Sequence, residues 1–168
     1  MRNRYDMQLH LLDTQLTHMG ELCETAIAKV TQALKEGNTE QAKIVIKEDE
    51  EIDQIEKDIE RLCLKLLLQQ QPVARDLRNI SAALKMISDM ERIGDQASDI
   101  ADITKYLENS ELTQHVHIQQ MAEAAMGMLT DSIEAFVKKD LLLARKVMKQ
   151  DDVVDELFNQ VKSELITA

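Results

Sequence analysis

The sequence predicts an all-α protein, a bundle of five long antiparallel helices. Three observations carry that prediction. Turn formers are scarce, with 4 Gly and 1 Pro in 168 residues, so the elements between turns must be long. Aromatic residues make up 2% and Trp is absent, while Leu, Ala, Ile, Met, Glu, Lys and Gln dominate, residues that form helices or fill helical cores. Apolar residues recur in alternating steps of three and four along nearly the whole chain, the signature of one helix face. The length suffices for one compact core.

The first helix is expected from about Arg4 to Glu36. Its apolar line is Leu9, Leu12, Leu16, Met19, Cys23, Ala26, Val30 and Ala33. Gly37 supplies a stop, and Asn38 or Thr39 a cap for the second helix, from about Glu40 to Gln70. The second line reads Ala42, Val45, Asp49, Ile52, Glu56, Ile59, Cys63 and Leu66, so two acids interrupt it; a fuller apolar stripe runs through Ile44, Ile52, Ile55, Ile59 and Leu62. Gln71-Pro72 makes the next corner, because Pro suits a helix start and the residue before it resists helical geometry. The third helix is expected from about Val73 to Glu108. Asn109-Ser110 and Thr113-Gln114 break the pattern. The fourth, from about His115 to Lys138, places Met121, Ala125, Met128, Leu129, Ser132, Ala135 and Phe136 inside. Asp140 caps the fifth, which runs from Leu141 to near the end with Ala144, Val147, Val154, Phe158, Val161 and Leu165 inside. His115 and His117, near a helix start, are expected in solvent.

The third helix carries the most informative stretch. Its line Leu77, Ile80, Leu84, Ile87 arrives next at Glu91, where a core residue is due. Asp95 and Asp99 follow at steps of four, stacking three acids along one flank. Such neighbours repel by roughly 0.2–0.5 kcal/mol per pair. On the second helix Asp53 follows Asp49 in the same way. In a hairpin turned at Pro72, Asp53 and Glu91 lie equally far from the corner, and so do Asp49 and Asp95. Two acidic ladders therefore meet at one level, where a cation or protons must neutralise them. This marks Asp49, Asp53, Glu91, Asp95 and, one turn along, Asp99 as candidate metal ligands.

The chain also repeats itself. Setting Met121 against Met19 aligns Glu123 with Glu21, Ala135 with Ala33, Ala144 with Ala42, Val147 with Val45 and Lys149 with Lys47. It also aligns Asp151 with Asp49 and Asp155 with Asp53, with no gap. Residues 1–109 are read as a first three-helix unit and 114–168 as a partial second unit of two helices. The counterparts of Glu91 and Asp95 fall beyond Ala168.

The net charge of −11 argues against direct nucleic-acid binding and against adsorption to an anionic membrane. No apolar run reaches the length of a membrane span and no signal-peptide core opens the chain, so a cytoplasmic protein is expected. Cys23 and Cys63 lack metal-ligand spacing and are read as reduced core residues, too far apart along the first hairpin to pair.

These elements resemble the PhoU family of phosphate-signalling regulators. Glu91-Arg92-Ile93-Gly94-Asp95 is similar to the family's Glu/Asp-x-x-x-Asp motif, Gln70-Gln71-Pro72-Val73-Ala74-Arg75-Asp76-Leu77-Arg78 to its corner, and Asp49-Glu50-Glu51-Ile52-Asp53 to its second-helix acidic segment. The resemblance implies a PhoU-like tandem three-helix bundle, its second unit incomplete. It implies a non-enzymatic cytoplasmic negative regulator of phosphate uptake and of the phosphate-starvation response. By the same resemblance the partners are the ATPase of a phosphate ABC transporter and a sensor histidine kinase, and the protein is a homodimer. It also implies divalent or trivalent metal ions, iron among them, at the acidic motif, while by hardness an all-carboxylate set suits magnesium, calcium or manganese. The second motif has no counterpart in this chain.

Two other readings stay open. A ferritin-like carboxylate-bridged metal enzyme requires Glu-x-x-His pairs, and His10, His18, His115 and His117 each lack a Glu three residues earlier. A purely structural bundle would leave Glu91 and Asp95 in solvent.

Overall fold

The computed structural model describes residues 2–69, 72–107 and 117–167. They form five helices, α1 (Arg2–Glu36), α2 (Thr39–Gln69), α3 (Ala74–Thr104), α4 (Ile118–Lys138) and α5 (Leu141–Thr167), with no strand among the described residues. The third and fourth helices are thus shorter than expected; the expected break at Asn109–Gln114 and His115 lie outside the described residues.

Local chemistry sets the corners. Gly37 takes a left-handed φ of 64°, which ends α1 and lets Asn38 donate its N–H to the Ala33 carbonyl at 2.9 Å. Asn38 Oδ1 then accepts the Gln41 N–H at 3.0 Å and caps α2. At the α4–α5 corner Lys139 adopts the same conformation at φ 55°, an unfavourable geometry for a residue with a side chain. Its ammonium sits 3.9 Å from the centroid of the Phe136 ring, a cation–π contact that offsets part of the cost, and Asp140 Oδ1 accepts the Leu143 N–H at 3.0 Å. Before α3, Val73 is extended and its carbonyl accepts from Asp76 and Leu77, while Asp76 complements the helix dipole.

The first helix is the hub of the bundle, packing against α2, α3 and α4, while α5 packs against α4. Its expected line is buried from Leu12 to Ala33, with Leu9 half-buried. Each such Leu or Met contributes about 1.5–3 kcal/mol by leaving water. On α2, Val45, Ile52, Ile59, Cys63 and Leu66 face this core, but Ile44 of the broader stripe is exposed. A half-buried Lys29–Glu48 pair at 2.7 Å ties α1 to α2.

The interior of the last two helices differs from expectation. Leu129, Ala135, Val147 and Val161 are buried, as is Ile133, which faces Gly20 of α1. Met121, Ala125, Met128, Ser132, Phe136, Ala144 and Val154 are half-buried. Phe158 is 56% exposed and Leu165 46%. The reason is geometric: α2 is sandwiched by α1 and α3, whereas the corresponding face of α5 has α4 as its one substantial neighbour. His117 is half-exposed, and its polar groups are held rather than free. Glu164 on α5 accepts its backbone N–H at 3.1 Å and meets its Nδ1 at 2.5 Å, so a carboxylate closes the N-terminus of α4.

Candidate metal centre

Antiparallel packing of α2 on α3 brings the two acidic ladders together. Oxygens of Asp49, Asp53 and Asp95 lie within 4.8 Å of one another, and so do oxygens of Asp53, Glu56 and Glu91. All five residues are half-buried. The apolar line of α3 makes the approach close: its buried residues are Ile80, Ala83, Ile87, Met90, Gly94, Ala97, Ala101 and Thr104, with small side chains concentrated beside and beyond the acids. The line therefore passes through Met90 and Gly94, and Glu91 stands at its edge. Leu77, expected to open it, is exposed.

Four of the five expected residues, Asp49, Asp53, Glu91 and Asp95, share these groups. Asp99 does not: it is exposed, and acts on the site through its charge, which raises Asp49. Glu56 joins them although it was not among the candidates. Its signal in the sequence is its interruption of the α2 line.

The electrostatics are those of unneutralised carboxylates. Burial, then the charges of Asp53 and Asp95, push Asp49 up to about 6. Glu91 rises to about 7, chiefly because the Asp95 carboxyl is close enough to share a proton with it, then through burial. Burial also raises Asp53 and Glu56, with Asp95 adding to the first and Asp53 to the second. Among the described residues none of the five takes part in an ion pair; Arg92, beside the motif, reaches Asp89 instead at 3.8 Å. Asp49 Oδ1 and Asp53 Oδ1 are buried with no hydrogen-bond partner.

Unpartnered buried oxygens on two members of an all-carboxylate set fit a hard cation such as Mg²⁺, Mn²⁺, Ca²⁺ or iron. Two oxygen groups sharing Asp53 can hold neighbouring ions. Cys23 lies near this level, but it stays a thiol: burial and Asp49 push it up to about 12, and its Sγ donates to the Met90 carbonyl at 3.3 Å. Both cysteines are free and buried.

The PhoU domain profile matches residues 16–104 and 118–168, a span that contains all five acids. A phosphate-specific transport system accessory protein PhoU homolog from Aquifex aeolicus is 44% identical over 154 residues, covering 91% of this chain and 70% of that protein. The homolog from Clostridium acetobutylicum is 36% identical, covering 98% and 76%. The crystal structure of PhoU from Pseudomonas aeruginosa superposes with a TM-score of 0.88 at 29% identity, over 97% of this chain and 79% of that one. That of the phosphate transport system regulatory protein PhoU from Streptococcus pneumoniae gives 0.86 at 27%, over 97% and 77%. With the PhoU profile matched over most of its residues and relatives matched along nearly its whole length, the chain belongs to the PhoU family.

Proposed function

We propose that this protein is a regulator of phosphate uptake and a repressor of the phosphate-starvation response, acting by binding rather than by catalysis. In this reading it works in the cytoplasm and bridges the ATPase of a phosphate ABC transporter to a sensor histidine kinase. The observation that carries it is the match to phosphate-transport accessory proteins across both segments of the chain. No helix among the described residues is long and apolar enough to cross a membrane. The first three helices serve as the metal-holding unit and α4–α5 as a partial repeat of it. Asp49, Asp53, Glu91 and Asp95, with Glu56, hold the metal ions, whose bound charge fixes α2 against α3. A homodimer forms through α4 and α5, where Phe158 and Leu165 remain open.

The test is genetic and biochemical together. Loss of the gene is expected to leave a starvation-controlled phosphatase reporter switched on in high phosphate, and the tagged protein is expected to retain the transporter ATPase and the kinase. A reporter that stays repressed without the gene would refute the regulatory reading. For the site, elemental analysis of purified protein is expected to find metal that Asp95→Asn loses; equal metal in both would refute the ligand assignment.

A further inference from the structure

We infer that Gly94 is a positioning residue for the acidic site: its missing side chain is the space in which Asp49 sets its carboxylate, so that the Asp49–Asp53–Asp95 oxygens converge. The inference rests on the metal-binding reading of that site and concerns how one of its two oxygen groups is built.

A glycine inside a helix costs about 0.5–1 kcal/mol relative to alanine. Gly94 sits in the middle of α3 without a positive φ, which among the described glycines belongs to Gly37 alone. Backbone conformation therefore does not demand it, and packing must. A Cβ there would lie 2.7 Å from Asp49 Oδ1, 3.1 Å from Ile52 Cδ1 and 3.2 Å from Ile52 Cγ2. Ile52 is 2% exposed, β-branched and locked in the core, so it has little room to yield. The Asp49 carboxylate ends a half-buried side chain with no branch at Cβ and is the group that must swing away. The atom displaced is one of the two orphaned oxygens of the site.

The other internal glycines do not share this arrangement. A Cβ at Gly127 meets nothing within 4 Å, and one at Gly20 meets the apolar side chain of Ile133. Only Gly94 among these three is set against a carboxylate. Its effect is also selective. The Asp53–Glu56–Glu91 group contains no atom of Asp49, so a methyl group at position 94 opens one oxygen group and leaves the other assembled.

The experiment titrates manganese ion into the chelator-treated full chain, comparing wild type with Gly94→Ala and Glu56→Gln, and determines the metal-free structure of Gly94→Ala. Gly94→Ala is expected to weaken the Asp49-dependent binding about tenfold or more, a typical loss when a group that orients a ligand is changed, and to spare the binding that Glu56→Gln removes. The Asp49 carboxylate is expected to leave the vicinity of Asp53 and Asp95 in the variant. An unchanged manganese titration with Asp49 in place overturns the inference. If wild type binds no manganese, the reading fails for manganese, and the metal-free structure alone decides: Asp49 displaced upholds the positioning role, Asp49 unmoved overturns it. Should Gly94→Ala not fold, Gly94→Ala/Ile52→Val removes the contact with Cδ1 while keeping the carboxylate clash, and is judged by the same two measurements.

Discussion

Asp95→Asn is expected to stabilise the metal-free protein at neutral pH and to weaken its response to metal, two effects of opposite sign from one substitution. Asp95 is the common neighbour in the site: its charge raises Asp49, Asp53, Glu56 and Glu91 alike. It shares a 4.8 Å oxygen group with Asp49 and Asp53. Two unit charges at that separation repel by about 1 kcal/mol with water-like screening and by about 3–4 kcal/mol at an effective dielectric constant near 20. These groups are half-buried, and at pH 7.5 the site retains part of a proton, so water-like screening is the better guide. Removing one charge with two close partners then gains about 1–2 kcal/mol, or roughly 2–8 °C in melting temperature for a chain of this size. The asparagine keeps the shape, and its amide can hydrogen-bond to Glu91 without the charge. The pH dependence follows from Asp49 at about 6 and Glu91 at about 7, both above their ordinary values of 3.8 and 4.5. A carboxyl raised in the folded state holds its proton there more tightly than in the unfolded chain. Its stabilising effect is complete below the ordinary value and is lost as pH rises through the folded one. Chelator-treated wild type is therefore expected to lose stability between about pH 4 and 7.5, with a shallower loss in Asp95→Asn. Urea denaturation at pH 5 and 7.5, with chelator and with manganese, measures all four combinations. Metal-free Asp95→Asn less stable than wild type at pH 7.5 would refute the account of the site as a strained cluster of charges.

Gly20→Ala would drive a Cβ into Ile133 Cδ1 and is expected to cost about 1–3 kcal/mol by thermal melting; a neutral effect would mean that α1 and α4 do not meet there. Burial works against the charge of Glu164, but hydrogen bonds from the His117 backbone and ring and from Gln160 hold its carboxyl below the ordinary value. The link it makes is present above about pH 4.5 and lost as pH falls further. Glu164→Ala is expected to speed amide hydrogen exchange in the first turn of α4 at neutral pH, and unchanged exchange would remove Glu164 from that role. Cys23 and Cys63, held by burial up to about 12 and about 11, are expected to react with a thiol reagent only on unfolding; rapid modification of the native protein would contradict the described core. Sedimentation at micromolar concentration is expected to show a dimer that Phe158→Glu dissociates, and a wild-type monomer would refute the α4–α5 contact.

The helix limits at the α1–α2 and α4–α5 corners were legible because each of these corners carries its own chemistry, whereas the expected end of the third helix at Glu108 overran Thr104. Gly37 with Asn38, and Asp140 after Lys138-Lys139, act through bonds within a few residues and need no tertiary context. The core of the first three helices was legible for a different reason. α1 and α2 have partners on the faces their apolar lines present, so pattern and burial coincide. That coincidence ends at α5. Phe158 and Leu165 keep the spacing of core residues but stand exposed, because periodicity states which face a helix offers and not whether anything covers it.

The same helical arithmetic separates the acids that join the site from the one that does not. A step of four residues overshoots a full turn by about 40°, whereas a step of three falls short by about 60°. Glu91, Asp95 and Asp99 are joined by two steps of four, so the ladder winds around α3 and its third rung turns out of the α2–α3 seam. Asp99 is accordingly exposed while the first two rungs are half-buried. On α2, Asp49 to Asp53 is a step of four and Asp53 to Glu56 a step of three, which brings Glu56 back to the seam. Equal distance from Pro72 identified the level at which the ladders meet, but Glu56 has no acid opposite it at its own level. Its longer side chain reaches along the seam to the Asp53–Glu91 pair instead. Distance from the corner fixes height and step pattern fixes facing, and an acid enters this site only where its facing, height and side-chain reach together bring its oxygen to the others.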